Sequence, residues 1–209
     1  EFVFTTGPLG SQPQRDVATE YLASKIAGRA EFAGIPLNDA GHAIDEDEAR
    51  PDELERGTTA FYRTPGGQPA VMDYQVKGYL KEAAQVFNGQ IVAGEKGAPL
   101  KALKSKVQRT VFVHPRIFPF LDVSPSEITY LERPLRAETM QGPRTALARS
   151  EKLPDGVRLR FELHVLKGEI TEKVLRELLD YGAYAGFGQW RNGGNGCFTY
   201  TLTAREGKA

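Results

Sequence analysis

The chain has 209 residues, 40% apolar and 26% charged, the proportions of an ordinary globular protein long enough to bury a core. No run of 18 apolar residues is available to span a bilayer, and a single cysteine, Cys197, with three scattered histidines (His42, His114, His164) excludes an internal disulfide and a thiolate zinc site and points to no metal or cofactor. Lys plus Arg and Asp plus Glu both number 27, so no bulk positive charge exists to coat duplex nucleic acid.

Glu1 to Thr6 reads as a strand, stopped by Gly7-Pro8. Asp16 to Ala30 suits an amphipathic helix, with Val17, Tyr21, Leu22 and Ile26 on one face. Residues 31–57 have no sustained period and read as a surface loop. Phe61-Tyr62-Arg63 and Ala70-Val71-Met72 flank Pro65-Gly66-Gly67, a hairpin pattern. Gly78 to Phe87 reads as a helix, and Gly89 to Ala98 as a loop. Thr110 to His114 is a strand ended by Pro115, and Ile128 to Leu131 a short one. Thr145 to Arg149 is joined through the turn Pro154-Asp155-Gly156 to Val157–Leu166. There Leu159, Phe161, Leu163 and Val165 alternate with Arg158, Arg160, Glu162 and His164, as in a half-buried strand. Thr171 is placed to cap a helix to about Tyr184 with Val174, Leu175, Leu178 and Leu179 as its buried stripe. A glycine-rich loop and a last strand, Cys197 to Thr203, follow.

Strands mostly succeed one another and helices do not alternate strictly, which predicts an α+β fold with an antiparallel sheet rather than a parallel one. A ferredoxin-like sheet with helices on one face and long insertions is the best match. The whole chain, 1–209, reads as one such domain with an acidic loop at about 31–57.

The neutral total hides segregation. Asp45 to Arg56 carries seven acids against two arginines, whereas Lys96 to Arg116 carries six basic residues and no acid. Arg133 to Arg149 holds four arginines against Glu138. Each run alone reads as a solvated face. Several basic runs together suggest a polyanion.

Three constellations could carry such binding. The first is the loop from Gly186 to Phe198, with Trp190, Arg191, Asn192, Gly193, Gly194 and Asn195. Glycines allow close backbone approach and anion nests, while Trp190 and Arg191 can stack on a base or pair with a phosphate. The alternative is a tight connection with Trp190 buried. The second is Arg133, Arg136 and Arg144 around a loop, Glu138 to Pro143, whose Met140 could wedge between bases; ion pairing with carboxylates is the alternative. The third is Lys77 and Lys81 at a helix N-terminus where an anion could sit, against a plain amphipathic helix. Lys104 and Lys106 extend the positive run. No P-loop or Gly-x-Ser-x-Gly elbow occurs. Cys197 reads as a small core residue.

Lys77-Gly78-Tyr79-Leu80-Lys81 together with Arg191, Gly193, Gly194 and Gly196 before the last strand resembles the RAMP superfamily, the RRM-like subunits of CRISPR effector complexes and crRNA-processing enzymes. The whole chain also resembles a family of uncharacterised bacteriophage proteins, through stretches close to 132–151 and 179–196. The resemblance implies an RRM-like fold, single-stranded nucleic acid as partner and head-to-tail self-association, in the cytoplasm of a bacterial host cell. It transfers no catalytic residue.

A non-enzymatic protein binding single-stranded RNA or DNA, RNA preferred, is therefore the leading expectation. Two others stand beside it: a metal-independent ribonuclease using His114 or His164, and an assembly protein whose acidic run docks on a neighbour's basic surface.

Overall fold

The computed structural model describes residues 1–13, 58–94, 98–139 and 142–204. The helix expected at 16–30, the acidic loop at 31–57, Lys96 and Met140 lie outside the described residues. In chain order the strands are β1 (Phe2–Phe4), β2 (Gln12–Pro13), β3 (Thr58–Ala60), β4 (Tyr62–Arg63) and β5 (Pro69–Met72). Helices α1 (Asp73–Val86) and α2 (Leu103–Thr110) follow, then β6 (Val111–His114), β7 (Ile117–Leu121), β8 (Thr129–Thr139), β9 (Gly142–Lys152), β10 (Arg158–Leu159) and β11 (Glu162–Val165). Helices α3 (Glu172–Asp180) and α4 (Gly182–Ala185) lead to β12 (Phe198–Tyr200). The fold is α+β, and its contacts divide it into two compact units.

The first unit comprises Glu1–Gly10, Phe61–Thr129 and Lys152–Ala209. Its main sheet runs β12-β1-β10-β7-β5-β4, with every neighbouring pair antiparallel. Phe2 and Phe4 point into the core and Phe2 stacks on Phe198 at 3.8 Å. The stripes Val76, Tyr79, Leu80 and Ala83 of α1, and Val174, Leu175, Leu178 and Leu179 of α3, join the same core. Each large apolar side chain so buried contributes about 1.5–3 kcal/mol. Thr171 caps α3 as expected, its Oγ1 accepting from the Val174 N–H at 3.4 Å.

The expected hairpin is β4–β5, pairing Tyr62 with Ala70. Helix α1 begins at Asp73, earlier than Gly78, because the Gln75 side chain reaches back to accept the Met72 N–H at 2.9 Å. Helix α2 sits inside the basic run, anchored by Leu103 and Val107 one turn apart. Strand β7 is unforeseen. Its sequence contains Pro119, which favours an edge or irregular strand, yet Ala70 of β5 lies opposite it. Pro115 and Arg116 separate β6 from β7, and β7 turns to pair with β5 and β10 while β6 pairs with β11. The single strand expected over Val157–Leu166 is correspondingly split into β10 and β11. Its alternation holds: Phe161, Leu163 and Val165 are half-buried and Glu162 and His164 exposed.

The second unit comprises Ser11–Ala60 and Tyr130–Glu151. Its described strands are ordered β2-β3-β9-β8, with β3 parallel to β9 and antiparallel to β2. Strands β8 and β9 have eleven residues each. Of the loop expected over Glu138–Pro143, residues 138–139 belong to β8 and 142–143 to β9, and the two residues between them lie outside the described residues. Neighbouring strands joined by so short a link run antiparallel.

Candidate nucleic-acid interface

The glycine-rich loop is first a packing device. Gly196 has φ +72°, and a Cβ there would lie 1.9 Å from the Phe187 carbonyl oxygen, to which the chain closes through the Phe187 N–H and Gly196 carbonyl at 2.8 Å. Gly186 and Gly188 are likewise pressed against the backbone of Asn195 and Leu9. Thr6 stitches the loop to the end of β1, its hydroxyl donating to the Gly194 carbonyl at 2.8 Å and accepting the Cys197 N–H at 2.9 Å. Cys197 is half-buried in this seam and its thiol is free.

The outer part of the loop is different. Trp190 is half-buried with φ 50°, and Asn192, Gly193 and Gly194 are exposed. Asn195 closes the turn by donating from Nδ2 to the Trp190 carbonyl at 3.1 Å. The Gly193 and Gly194 N–H groups bond to the Trp190 and Arg191 carbonyls. They are therefore not available as part of an anion nest. The Arg191 guanidinium pairs with Glu82 of α1 at 2.8 Å. Tyr184 on α4 is 86% exposed. Sequence reading missed it because it falls at the end of a helix read only for its buried stripe.

The lysines separate into different environments. Lys77 is not at a helix N-terminus: it lies in the second turn of α1. Its ammonium donates to the Val107 carbonyl at 2.9 Å and to the Val111 carbonyl, and lies 5.3 Å from the Phe112 ring centre. Burial and then the nearby Lys81 hold its pKa below the usual lysine value. Lys77 thus ties α1 to the C-terminal end of α2, where a cation is favoured. Lys81 is half-buried on α1. Lys104 donates to Gln85 Oε1 at 2.8 Å, and Lys106 pairs with Glu169 at 2.7 Å.

On the ribbon of the second unit, Arg133 is exposed on β8, and Arg136 and Arg144 lie on β8 and β9. Arg149 stacks over Tyr130 at 4.0 Å and lies 3.3 Å from Glu132.

Two residues that the sequence leaves far apart meet on the β6–β11 pair. His114 faces Glu162 across the ladder, and Phe112 faces His164. The two imidazole rings therefore stand diagonally, 4.5 Å apart, with His164 Nε2 3.5 Å from Glu162. Among the described residues no group of three or more His, Cys, Asp or Glu side chains is gathered to hold a metal ion, and no helix is long and apolar enough to cross a membrane.

No family model matches the chain, and no curated protein matches it.

Proposed function

We propose that the protein binds single-stranded nucleic acid, RNA in preference to DNA, and associates with copies of itself along the strand in a bacterial cytoplasm. The observation that carries this reading is the β8–β9 ribbon, two neighbouring strands of eleven residues each that carry Arg133, Arg136 and Arg144. Arginine is the side chain best suited to bidentate contact with phosphate. The exposed Asn192–Gly194 turn, with Trp190, Arg191 and Tyr184 around it, is the second contact region. Lys81, Lys104 and Lys106 supply steering charge, and Lys77 acts only through the fold.

A ferredoxin-like core accords with the strand order. β12-β1-β10-β7 has the 4-1-3-2 arrangement, with α1 between β1 and β7 and α3 between β10 and β12. Phe2, Phe4 and Phe198 all face inward, so base stacking falls to the loop with Trp190 rather than the sheet surface. Anisotropy titrations with labelled single-stranded RNA, single-stranded DNA and duplex, each at two salt concentrations, test the reading. Affinity should favour RNA and fall with salt, with a log–log slope of about −0.7 per phosphate contacted. Absence of binding at low salt would overturn it. Light scattering with and without oligonucleotide tests self-association. Assembly without nucleic acid would favour docking through the acidic run instead.

The contact of His114 and His164 favours a second reading, cleavage of the bound RNA. One imidazole would remove the 2′-hydroxyl proton as that oxygen attacks phosphorus, and the other would protonate the leaving 5′ oxygen. Loss of cleavage in both His114→Ala and His164→Ala, with a 2′-deoxy substrate left intact, would support it. Unchanged product in both variants would remove it.

A further inference from the structure

The two-stranded sheet β6–β11 turns aromatic side chains outward, whereas the main sheet turns Phe2, Phe4 and Phe198 inward. Its register pairs Phe112 with His164 and His114 with Glu162. Alternate side chains of a strand share a face. Val111 and Val113 are buried in the core, so Phe112, His114, Glu162 and His164 stand together on the opposite face, and all four are exposed. Phe112 is 44% exposed, and the rings of His114 and His164 lie 4.5 Å apart. Three flat π-surfaces thus meet on four positions of two strands.

A single exposed phenylalanine is ordinary protein surface, but this one is set among cations. The Leu166 N–H bonds to the Thr110 carbonyl, so the Val111 carbonyl, one residue on, points away from β11. From that edge Lys77 donates to it and holds its ammonium 5.3 Å from the Phe112 ring centre. Exposed basic side chains flank the face at both ends. Arg109 and Lys167 come together where Leu166 meets Thr110, and Arg116 follows His114 at the other end. Of the nearby carboxylates, Glu162 lies 3.5 Å from His164 Nε2, and Glu169 is taken by Lys106 at 2.7 Å. The surface is aromatic in its middle and positive at its ends, which complements planar rings strung on a polyanion.

We propose that the outer face of β6–β11 is a stacking platform for the unpaired bases of single-stranded nucleic acid. One base lies on Phe112 and its neighbour against the His114 and His164 rings, while phosphates of the same strand pass the cations at the two ends. The site rests on the nucleic-acid reading and gives it a base-contacting surface distinct from the Trp190 loop. Every base has a π-face, so stacking is indifferent to sequence. It makes no use of the 2′-hydroxyl either, and RNA preference is left to the other contact regions.

Anisotropy titrations of a fluorescein-labelled single-stranded RNA of about ten nucleotides, and of DNA of the same sequence, test it. Phe112→Leu keeps an apolar side chain and removes the π-face. It should weaken binding of both strands by at least about fivefold, with the salt slope unchanged because no phosphate contact is lost. Phe112→Tyr should bind as the parent does. Arg109→Ala combined with Lys167→Ala should instead flatten the slope. Val86→Ala, at an exposed residue near the end of α1, should leave binding unchanged. Circular dichroism checks the fold of each variant, and should Phe112→Leu fail to fold, His164→Leu takes its place with the same expected loss. If the parent binds and Phe112→Leu binds equally well, the platform is overturned while the nucleic-acid reading stands. Loss in Phe112→Leu that Phe112→Tyr does not recover also overturns it, since the π-face is then not what matters. If the parent binds neither strand at low salt, both fall together.

Discussion

Arg191 Nη2 lies 2.8 Å from Glu82 Oε2, so the only charged side chain of the glycine-rich loop is already engaged by α1. A phosphate reaching Arg191 must compete with that carboxylate or displace it. Glu82→Gln removes the competitor and should tighten binding of single-stranded RNA, whereas Arg191→Ala should weaken it about tenfold, in line with loss of one charge-assisted contact of roughly 1.5 kcal/mol. Both side chains are partly exposed, and such a pair is worth about 0–1 kcal/mol, so neither change should move the melting temperature much. Isotherms and melts on the two variants decide. Equal affinity in Glu82→Gln and Arg191→Ala would show that the loop does not touch phosphate.

The loop's glycines predict opposite behaviour at two positions. In Gly196→Ala the new methyl meets the Phe187 carbonyl at 1.9 Å in a left-handed backbone, and neither can give without moving the loop backbone at Phe187 or Gly196. A loss of at least 3 kcal/mol is expected, or no folding at all. In Gly194→Ala the backbone is also left-handed, at φ +78°, but nothing lies within 4 Å of the new methyl. The cost there should be about 1 kcal/mol. Denaturant unfolding of the two proteins measures the difference.

The positions where sequence reading succeeded and failed have physical causes. Thr171 ahead of Val174, Leu175, Leu178 and Leu179 announces α3 because the cap and the stripe are both local signals. The alternation from Leu159 to Val165 is local too. Helix α1 was placed late because its start depends on Gln75 reaching back to Met72, a pattern without the usual Ser, Thr or Asp. Strand β7 is not legible in the sequence because its two flanking partners, β5 and β10, come from distant parts of the chain and override its proline. Of the candidate site, residue types were legible but partners were not. Glu82 for Arg191, Glu169 for Lys106 and the Val107 and Val111 carbonyls for Lys77 are all long-range neighbours. The same holds for His114 and His164, fifty residues apart and in ring contact only through the β6–β11 register.

Tyr200 supplies a pH-dependent prediction. Its hydroxyl donates to Asp180 at 2.8 Å, and burial, reinforced by that hydrogen bond, pushes its pKa up from 10.0 to about 12. A pKa raised by folding means that the folded state holds the proton where the unfolded state has lost it. The stabilisation is therefore complete below pH 10 and disappears as pH climbs towards 12. Tyr200→Phe should melt lower than the parent at neutral pH, by the loss of a hydrogen bond worth about 1 kcal/mol, and the gap should narrow steadily above pH 10. Buried Tyr79, whose pKa is also raised, keeps its own alkaline slope in both proteins, so only the difference between them reports Tyr200. A gap that stays constant to pH 12 would contradict the assignment.

Arg133 and Arg149 stand on the same ribbon in different roles, and paired substitutions separate them. Arg149 lies over the Tyr130 ring at 4.0 Å and beside Glu132 at 3.3 Å, so it holds the ribbon's own surface together. A cation over an aromatic face contributes about 0.5–1 kcal/mol at such a site, and Arg149→Ala should lower stability by about that much. Arg133 is exposed on β8 and should cost almost nothing when removed. For binding the order reverses. Loss of a phosphate contact at Arg133 should weaken single-stranded RNA binding and reduce the salt slope by about 0.7, whereas Arg149→Ala should leave the slope nearly intact. Arg133→Lys keeps the charge but not the fork geometry, so it should restore the slope while recovering only part of the affinity. Titrations of the three variants at matched salt concentrations, with melts alongside, read all four quantities. If Arg133→Ala leaves both affinity and slope at parental values, the ribbon is not the phosphate-binding surface.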